Sequence, residues 1–200
     1  MTWPMIPGVS AMSSGAGAPV LVLMADPEAR VPQGERVFGV SLGARLADAA
    51  LRSGFAAVYL APGATGCDLA DAQAVAAGDR VDAAALVAYE TAAVDPAALR
   101  RLAAAAGDHE GSLCDELGRP VAWWTPRLVR VPAAVPAAVL LAGECAPDPD
   151  QVARLIDPGD RPRVEALLLR VAAAELPCAP ASLRSPWRRW FEVPLLRWLV

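Results

Sequence analysis

The chain has 200 residues, 55% of them hydrophobic, so it is long enough to bury the core of one α/β domain and to carry a short additional segment. Its formal net charge of -4 at pH 7 provides no basic field, which argues against nucleic acid as a partner. All 18 basic residues are arginine, which excludes mechanisms that need a lysine to grip a phosphate or to form a Schiff base.

The N-terminal third of the sequence predicts a βαβ unit. After a lead-in rich in Ser, Gly and Pro at Met1–Ala18, the continuous apolar run Pro19–Ala25 is typical of a central parallel strand. Ser41 is a suitable N-cap for a helix that stops at Gly54. Phe55–Gly63 then forms a second buried strand.

The middle of the chain continues the alternation of helices and strands. An Ala-rich stretch at Cys67–Ala77 predicts a helix, and Ala84–Glu90 predicts the third strand. Asp95 followed by Pro96 is a strong helix start, and this helix is expected to run to about Ala106.

Two more strands and two more helices are expected in the last part of the α/β pattern. The strands are Gly118–Trp124 and Ala137–Gly143, and the helices are Asp148–Asp157 and Pro162–Leu176. Strands that alternate with helices across short loops predict an α/β fold, a three-layer α/β/α sandwich with a mostly parallel sheet. We expect this domain to span residues 19–178.

The four cysteines are widely spaced, form no CxxC pair, and are accompanied by a single histidine, His109. This spacing argues against a zinc site. The N-terminus lacks the features of a signal peptide, so we expect the cysteines to be small core residues in the reducing cytoplasm.

Ligands of parallel sheets bind beyond the C-terminal ends of the strands, which draws attention to the loops after the first and third strands. In the first loop Arg30 or Arg36 could pair with a phosphate, although the absence of a glycine-rich fingerprint favours an ordinary surface loop. In the second loop Glu90 could bind a divalent cation, whereas Asp95 is already explained as a helix cap.

Several segments together resemble a known domain: "PVLVLMA", "ERVFGVSLGARLADAALRSGFAAVYLAPG", "LVAYETAAVDPAALRRLAAAA" and "DELGRPVAWW". Their order is similar to the sugar-phosphate nucleotidyltransferase-like domain that precedes CDP-alcohol phosphatidyltransferases, a group that resembles inositol-phosphate cytidylyltransferases. The resemblance covers about residues 19–143. The matching residues are Val37, Gly39, Leu42, Arg45, Ser53, Gly54, Phe55, Val58, Asp95, Pro96, Ala97, Leu99, Arg100 and Leu102.

The resemblance implies a nucleotidyltransferase fold of the GT-A or Rossmann-like kind and a link to phospholipid headgroup chemistry. It implies a nucleotide site near Asp26, Arg30, Arg36 and Gly39, and Mg²⁺ held with a nucleoside triphosphate at the end of the third strand, where Glu90 is the adjacent carboxylate. A sugar or polyol phosphate would be the second substrate.

Two departures from the family pattern predict that catalysis is weakened or lost. The nucleotide loop reads "ADPEARVPQGER" instead of a glycine-rich, basic sequence. The metal-binding Asp of the family falls on Thr91, and a hydroxyl lacks the charge that offsets dehydration of a hard cation. A degenerate nucleotidyltransferase-like domain, a non-catalytic interaction domain and an active sugar- or polyol-phosphate cytidylyltransferase all remain open.

The C-terminal segment 179–200 is rich in tryptophan and arginine. These residues suit a membrane interface or a membrane-enzyme partner, which would make the protein peripheral to the membrane, and they equally suit docking on the domain itself. The phosphatidyltransferase signature "DG..AR........G...D...D" is absent from the sequence. The expected contact residues are Trp187, Arg188, Arg189, Trp190 and Trp198.

Overall fold

The computed structural model describes residues 18–64, 72–104, 110–136 and 147–175. These ranges contain ten strands and three α-helices. In chain order the strands are β1 (Val20–Met24), β2 (Arg36–Val37), β3 (Val40–Ser41), β4 (Ala57–Leu60), β5 (Gln73–Ala74), β6 (Arg80–Tyr89), β7 (Ala92–Val94), β8 (Gly111–Cys114), β9 (Pro120–Arg130) and β10 (Val152–Arg154). The helices are α1 (Leu42–Arg52), α2 (Pro96–Ala104) and α3 (Arg161–Glu175).

A six-stranded mixed sheet with the order β5-β4-β1-β6-β9-β8 forms the centre of the fold. Strand β1 pairs in parallel with β4 and β6, and β4 pairs in parallel with β5. Strand β9 is antiparallel to both β6 and β8, so β8 runs in the same direction as β1 and only β9 is reversed. The α/β class and the mostly parallel sheet are therefore confirmed.

Strand β1 lies between two parallel neighbours, and all five of its residues are buried. A continuous apolar run suits this position because both faces of the strand are covered. Strands β4 and β6, which correspond to the predicted second and third strands, flank it.

Helix α1 connects β1 to β4 by way of the β2–β3 hairpin. The Ser41 hydroxyl accepts a hydrogen bond from the backbone N–H of Ala44 at 3.3 Å, which caps the first turn. After the helix ends, Gly54 adopts a positive φ of 98°, a conformation that glycine tolerates best. The predicted helix and both of its end signals are confirmed.

Helix α2 begins at Pro96, directly after Asp95. The Asp95 Oδ1 atom accepts a hydrogen bond of 2.7 Å from the N–H of Ala97. Its carbonyl accepts the first helical bond, from Leu99 at 3.1 Å. The predicted capping role of Asp95 is therefore confirmed.

The predicted helix at Cys67–Ala77 is wrong in its described part. Gln73 and Ala74 are extended and pair with Tyr59 and Leu60 of β4. Alanine is compatible with both states, and here pairing with an open sheet edge overrides helix propensity.

The predicted helix at Asp148–Asp157 is also wrong. A single 3-10 turn at Pro149–Gln151 is followed by β10, which pairs antiparallel with β7. The apolar residues on both sides of Arg154, within β10 and directly after it, are buried, so tertiary packing decides the conformation.

Helices α1 and α2 pack on one face of the main sheet, where Leu46, Leu99 and Leu102 meet Leu21 and Leu86. The opposite face packs Val22 and Val87 against Leu128 and Val131. Helix α3 packs instead on the β7–β10 sheet. Among the described ranges no helix covers the second face, so a three-layer arrangement remains a prediction.

The remaining expected elements lie outside the described residues. These are residues 1–17 of the lead-in, the strand at Ala137–Gly143, and segment 179–200. Cys114, the one described cysteine, is a partly buried free thiol. A search of the described helices finds none with the length and apolar character that a membrane span requires.

Candidate functional site

The carboxyl ends of β1 and β6 meet at one edge of the sheet. Met24 lies beside Tyr89 at the ends of these strands, and the N–H of Glu90 donates to the carbonyl of Met24 at 2.8 Å. The residues that follow each strand, Asp26 and Thr91, therefore come together at the edge where α/β proteins bind ligands.

Asp26 forms a two-pronged ion pair with Arg154 of β10. The Nε atom of Arg154 donates to Oδ2 at 2.8 Å, and Nη2 donates to Oδ1 at 2.5 Å. Both side chains are 1% exposed. The Thr91 hydroxyl donates to Oδ2, and the N–H of Glu28 donates to Oδ1 at 3.0 Å.

The Arg154 guanidinium has partners on its other sides as well. Nη1 donates to the carbonyl of Pro120 at 3.0 Å and lies 3.0 Å from the Glu28 carboxylate. The guanidinium carbon is 3.9 Å from the ring centre of Tyr89, a cation–π contact. Arg154 thus ties β10 to the ends of β1, β6 and the β8–β9 turn.

The surroundings of the pair keep both groups charged. Burial alone raises the pKa of Asp26, but hydrogen bonds from Arg154 and Thr91 outweigh burial and hold that pKa below its usual value. Burial alone lowers the pKa of Arg154, and the Asp26 carboxylate more than reverses that effect. The site is therefore an internal ion pair that is charged at neutral pH.

The predicted nucleotide-contact residues occupy three different settings. Asp26 is buried in the ion pair, whereas Arg30 has a side chain that is 78% exposed and lies 3.4 Å from the Asp157 carboxylate. Arg36 is an exposed residue of β2, and its carbonyl accepts a hydrogen bond from Arg161 at 3.2 Å.

Gly39 lies in the tight turn of the β2–β3 hairpin. It follows Phe38, and both have a positive φ, 52° for Phe38 and 75° for Gly39, as two-residue hairpin turns require. The Nη2 atom of Arg45 donates to the carbonyls of Val37 and Phe38 at 3.0 and 3.1 Å. Val37, Gly39 and Arg45, three of the residues that match the family pattern, thus form or stabilise the hairpin that precedes α1 in the chain.

Glu90, the predicted metal ligand, is buried at 6% exposure. It lines a small cavity together with Glu35, Ser41 and Thr91. Across the part of the chain that the structure describes, no group of three or more His, Cys, Asp or Glu side chains is arranged to hold a metal ion. The predicted contact residues Trp187, Arg188, Arg189, Trp190 and Trp198 lie outside the described residues.

Sequence reasoning missed Arg154 as a member of this site. The available signal was a single charge inside the apolar run Val152–Ile156, because a buried charge requires a partner. The segment is predicted from its sequence to be a helix, and in a helix Arg154 would lie on the face opposite to Val152, Leu155 and Ile156. A buried position is therefore not expected for Arg154.

No protein-family model, curated protein or solved structure matches this chain.

Proposed function

We propose that this chain is a nucleotidyltransferase-like domain associated with CDP-alcohol phosphatidyltransferase chemistry, and that it does not itself catalyse nucleotidyl transfer. The order of sequence segments described above supports the family part of this proposal, and a mostly parallel α/β sheet is compatible with it. In this proposal the domain acts by binding, with a membrane enzyme as the expected partner.

The proposed loss of catalysis rests on the hydrogen bonds that Asp26 already accepts within the protein. A carboxylate offers about four lone-pair sites, and Asp26 already accepts four hydrogen bonds, two from Arg154, one from Thr91 and one from Glu28. A divalent cation at this strand end would have to displace a buried guanidinium from its buried counter-charge. The positive charge of Arg154 takes the place that a catalytic cation would need.

The residues predicted to bind the phosphates of a nucleotide, Arg30 and Arg36, are exposed arginines. Nucleotidyl transfer requires the attacking phosphate and the nucleotide α-phosphate to be held in line. Arg30 and Arg36 lie on exposed segments without a ring of backbone amides from glycines, so they supply charge with little alignment. We expect any residual nucleotide affinity to depend on these two residues.

Release of pyrophosphate from CTP and inositol phosphate in the presence of Mg²⁺ tests the proposal. With the purified full chain we expect no more pyrophosphate than in reactions without protein, while an active cytidylyltransferase in parallel reactions confirms that the assay works. The thermal unfolding of the same sample, with and without CTP, GTP, UTP or ATP, reports binding separately from turnover.

Mg²⁺-dependent turnover by the parent chain would contradict the proposed loss of catalysis. The variant Glu90→Gln then identifies the cause, because it removes the charge of the carboxylate nearest to the expected metal position and leaves its shape unchanged. Turnover abolished by this variant would establish an active cytidylyltransferase in which Glu90 holds the metal.

A further inference from the structure

A cavity of about 200 Å³ lies between the β8–β9 turn, strand β10 and helix α3. Guanidinium groups approach it from three elements of the fold: Arg119 from the turn, Arg154 from β10, and Arg163 and Arg170 from α3. This concentration of arginines is separate from the exposed loop that carries Arg30.

The two inner arginines are already neutralised by buried carboxylates. Arg154 is paired with Asp26. Arg119 lies 2.7 Å from the Asp115 carboxylate and 2.9 Å from that of Asp160. Asp115 and Asp160 also accept backbone N–H bonds, so donors within the protein offset their negative charge. The charges of the inner wall are consequently balanced within the protein.

The two outer arginines differ because their partners are open to water. Arg163 pairs with Glu116, whose side chain is 57% exposed, and Arg170 pairs with Asp150, whose side chain is 60% exposed. Both carboxylates can be solvated by water when they leave their arginines. For Arg170, which is 47% exposed, this exchange costs little, because ion pairs between exposed groups contribute little to stability; Arg163 is 28% exposed and gains more from a new anionic partner. Arg163 and Arg170 are two helical turns apart, about 10 Å along the axis, and lie on the same side of α3.

We propose that this cavity binds a small phosphorylated anion, with Arg163 and Arg170 as the residues that hold it. The planar guanidinium presents paired N–H donors that match phosphate oxygens, and two of them facing one cavity suit a diphosphate or a compact phosphomonoester. Pockets for larger ligands usually exceed about 300 Å³, so the size of this cavity favours an anion smaller than a nucleotide.

The ligand replaces the carboxylates of Glu116 and Asp150, which hold the outer arginines in the free protein. Leu167 and Val152 also line the cavity. This site does not depend on the proposed function, because Arg163 and Arg170, which hold the anion, take no part in the Asp26–Arg154 pair on which that function rests.

Isothermal titration with inorganic pyrophosphate tests the site directly. The double variant Arg163→Gln, Arg170→Gln should bind at least about tenfold more weakly than the parent, since each change removes charge-assisted hydrogen bonds. Arg80→Gln is the matched control, because Arg80 is 70% exposed on β6 and pairs with Asp82, away from the cavity. It should bind like the parent.

The opposite change gives a second readout. The double variant Glu116→Gln, Asp150→Asn removes the competing carboxylates and should bind pyrophosphate several-fold more tightly than the parent. Amide chemical-shift changes on titration should centre on α3 and the β8–β9 turn, which also confirms that each variant remains folded.

Three results would overturn the proposal. The first is equal affinity in the parent and in the variant that lacks Arg163 and Arg170. The second is a response to sulfate, at matched ionic strength, as strong as the response to pyrophosphate. The third is a set of shift changes centred elsewhere, for example on Arg30 and the β1 loop.

Discussion

Asp26 and Arg154 show how a single residue pair determines what this sheet edge can do. Removing two charges from water is costly, and the pair offsets that cost only because its geometry is two-pronged and further groups complete the hydrogen bonding. A pair of this kind adds little to the stability of the fold. Removal of only one of its two charges, however, would strongly destabilise the protein.

A double-mutant cycle on this pair separates the two effects. Arg154→Met alone and Asp26→Leu alone should each lower the free energy of unfolding by about 3–5 kcal/mol, because each leaves a buried charge without its buried partner. The combined variant should recover most of that loss, since it leaves neither charge. Urea unfolding of all four proteins measures the coupling.

A combined variant as unstable as the sum of the single variants would show that the two charges are independent. That result would also remove the argument that Arg154 keeps Asp26 from binding a cation.

Two helix starts, those of α1 and α2, are predicted correctly because their signals are local. Ser41 and Asp95 each cap a helix within three residues of themselves, and both act in the structure as the sequence predicts. A short-range hydrogen bond needs no knowledge of the rest of the chain.

The cap of α2 gives a quantitative prediction at this scale. Asp95→Ala should lower the free energy of unfolding by about 1 kcal/mol, because the N–H of Ala97 loses its acceptor. Asp95→Asn is the matched control and should retain most of the stability, since an asparagine oxygen caps nearly as well. Chemical denaturation monitored by circular dichroism gives both values.

The same variants distinguish a cap from a ligand-binding residue. If Asp95→Ala left stability unchanged and removed metal-dependent nucleotide binding, the loop would have to be reinterpreted as a site.

Strand direction was harder to predict at the element scale. The segment Gly118–Trp124 is identified correctly as a strand in its apolar part, yet it runs antiparallel to β6 and continues to Arg130. The reason is β8, a short strand that the sequence analysis did not identify. The tight turn at Asp115–Arg119 joins β8 to β9, and a connection this short permits only an antiparallel pair.

At the scale of the whole molecule, the lowered carboxyl pKa values link stability to pH. Asp26 has a folded pKa below its usual value, as described above. Burial alone raises the pKa of Asp160, but it is outweighed by hydrogen bonds from the N–H of Asp157, from Arg119 and from the N–H of Ile156. A carboxyl whose pKa is lowered on folding contributes stability that is fully present above its unfolded pKa, about 3.9, and is lost as the pH falls through the folded value.

We therefore expect the free energy of unfolding to decrease as the pH falls below about 4, by up to roughly 1.4 kcal/mol per pH unit for each such group. The combined variant Asp26→Leu, Arg154→Met should show a shallower decrease than the parent, because it lacks one of the responsible carboxyls. Urea unfolding between pH 7 and pH 2 measures both curves. Parallel curves would show that Asp26 contributes nothing to the acid sensitivity of the fold.

The sequence by itself determined the features of this protein that depend on neighbours along the chain. The apolar run of β1 and the caps at Ser41 and Asp95 are local, so the α/β class and the central parallel strands could be predicted. Only the tertiary structure decided the partner of Asp26. Arg154 lies 128 residues away in a strand whose conformation depends on pairing with β7, and a remote backbone partner leaves no local signal in the sequence.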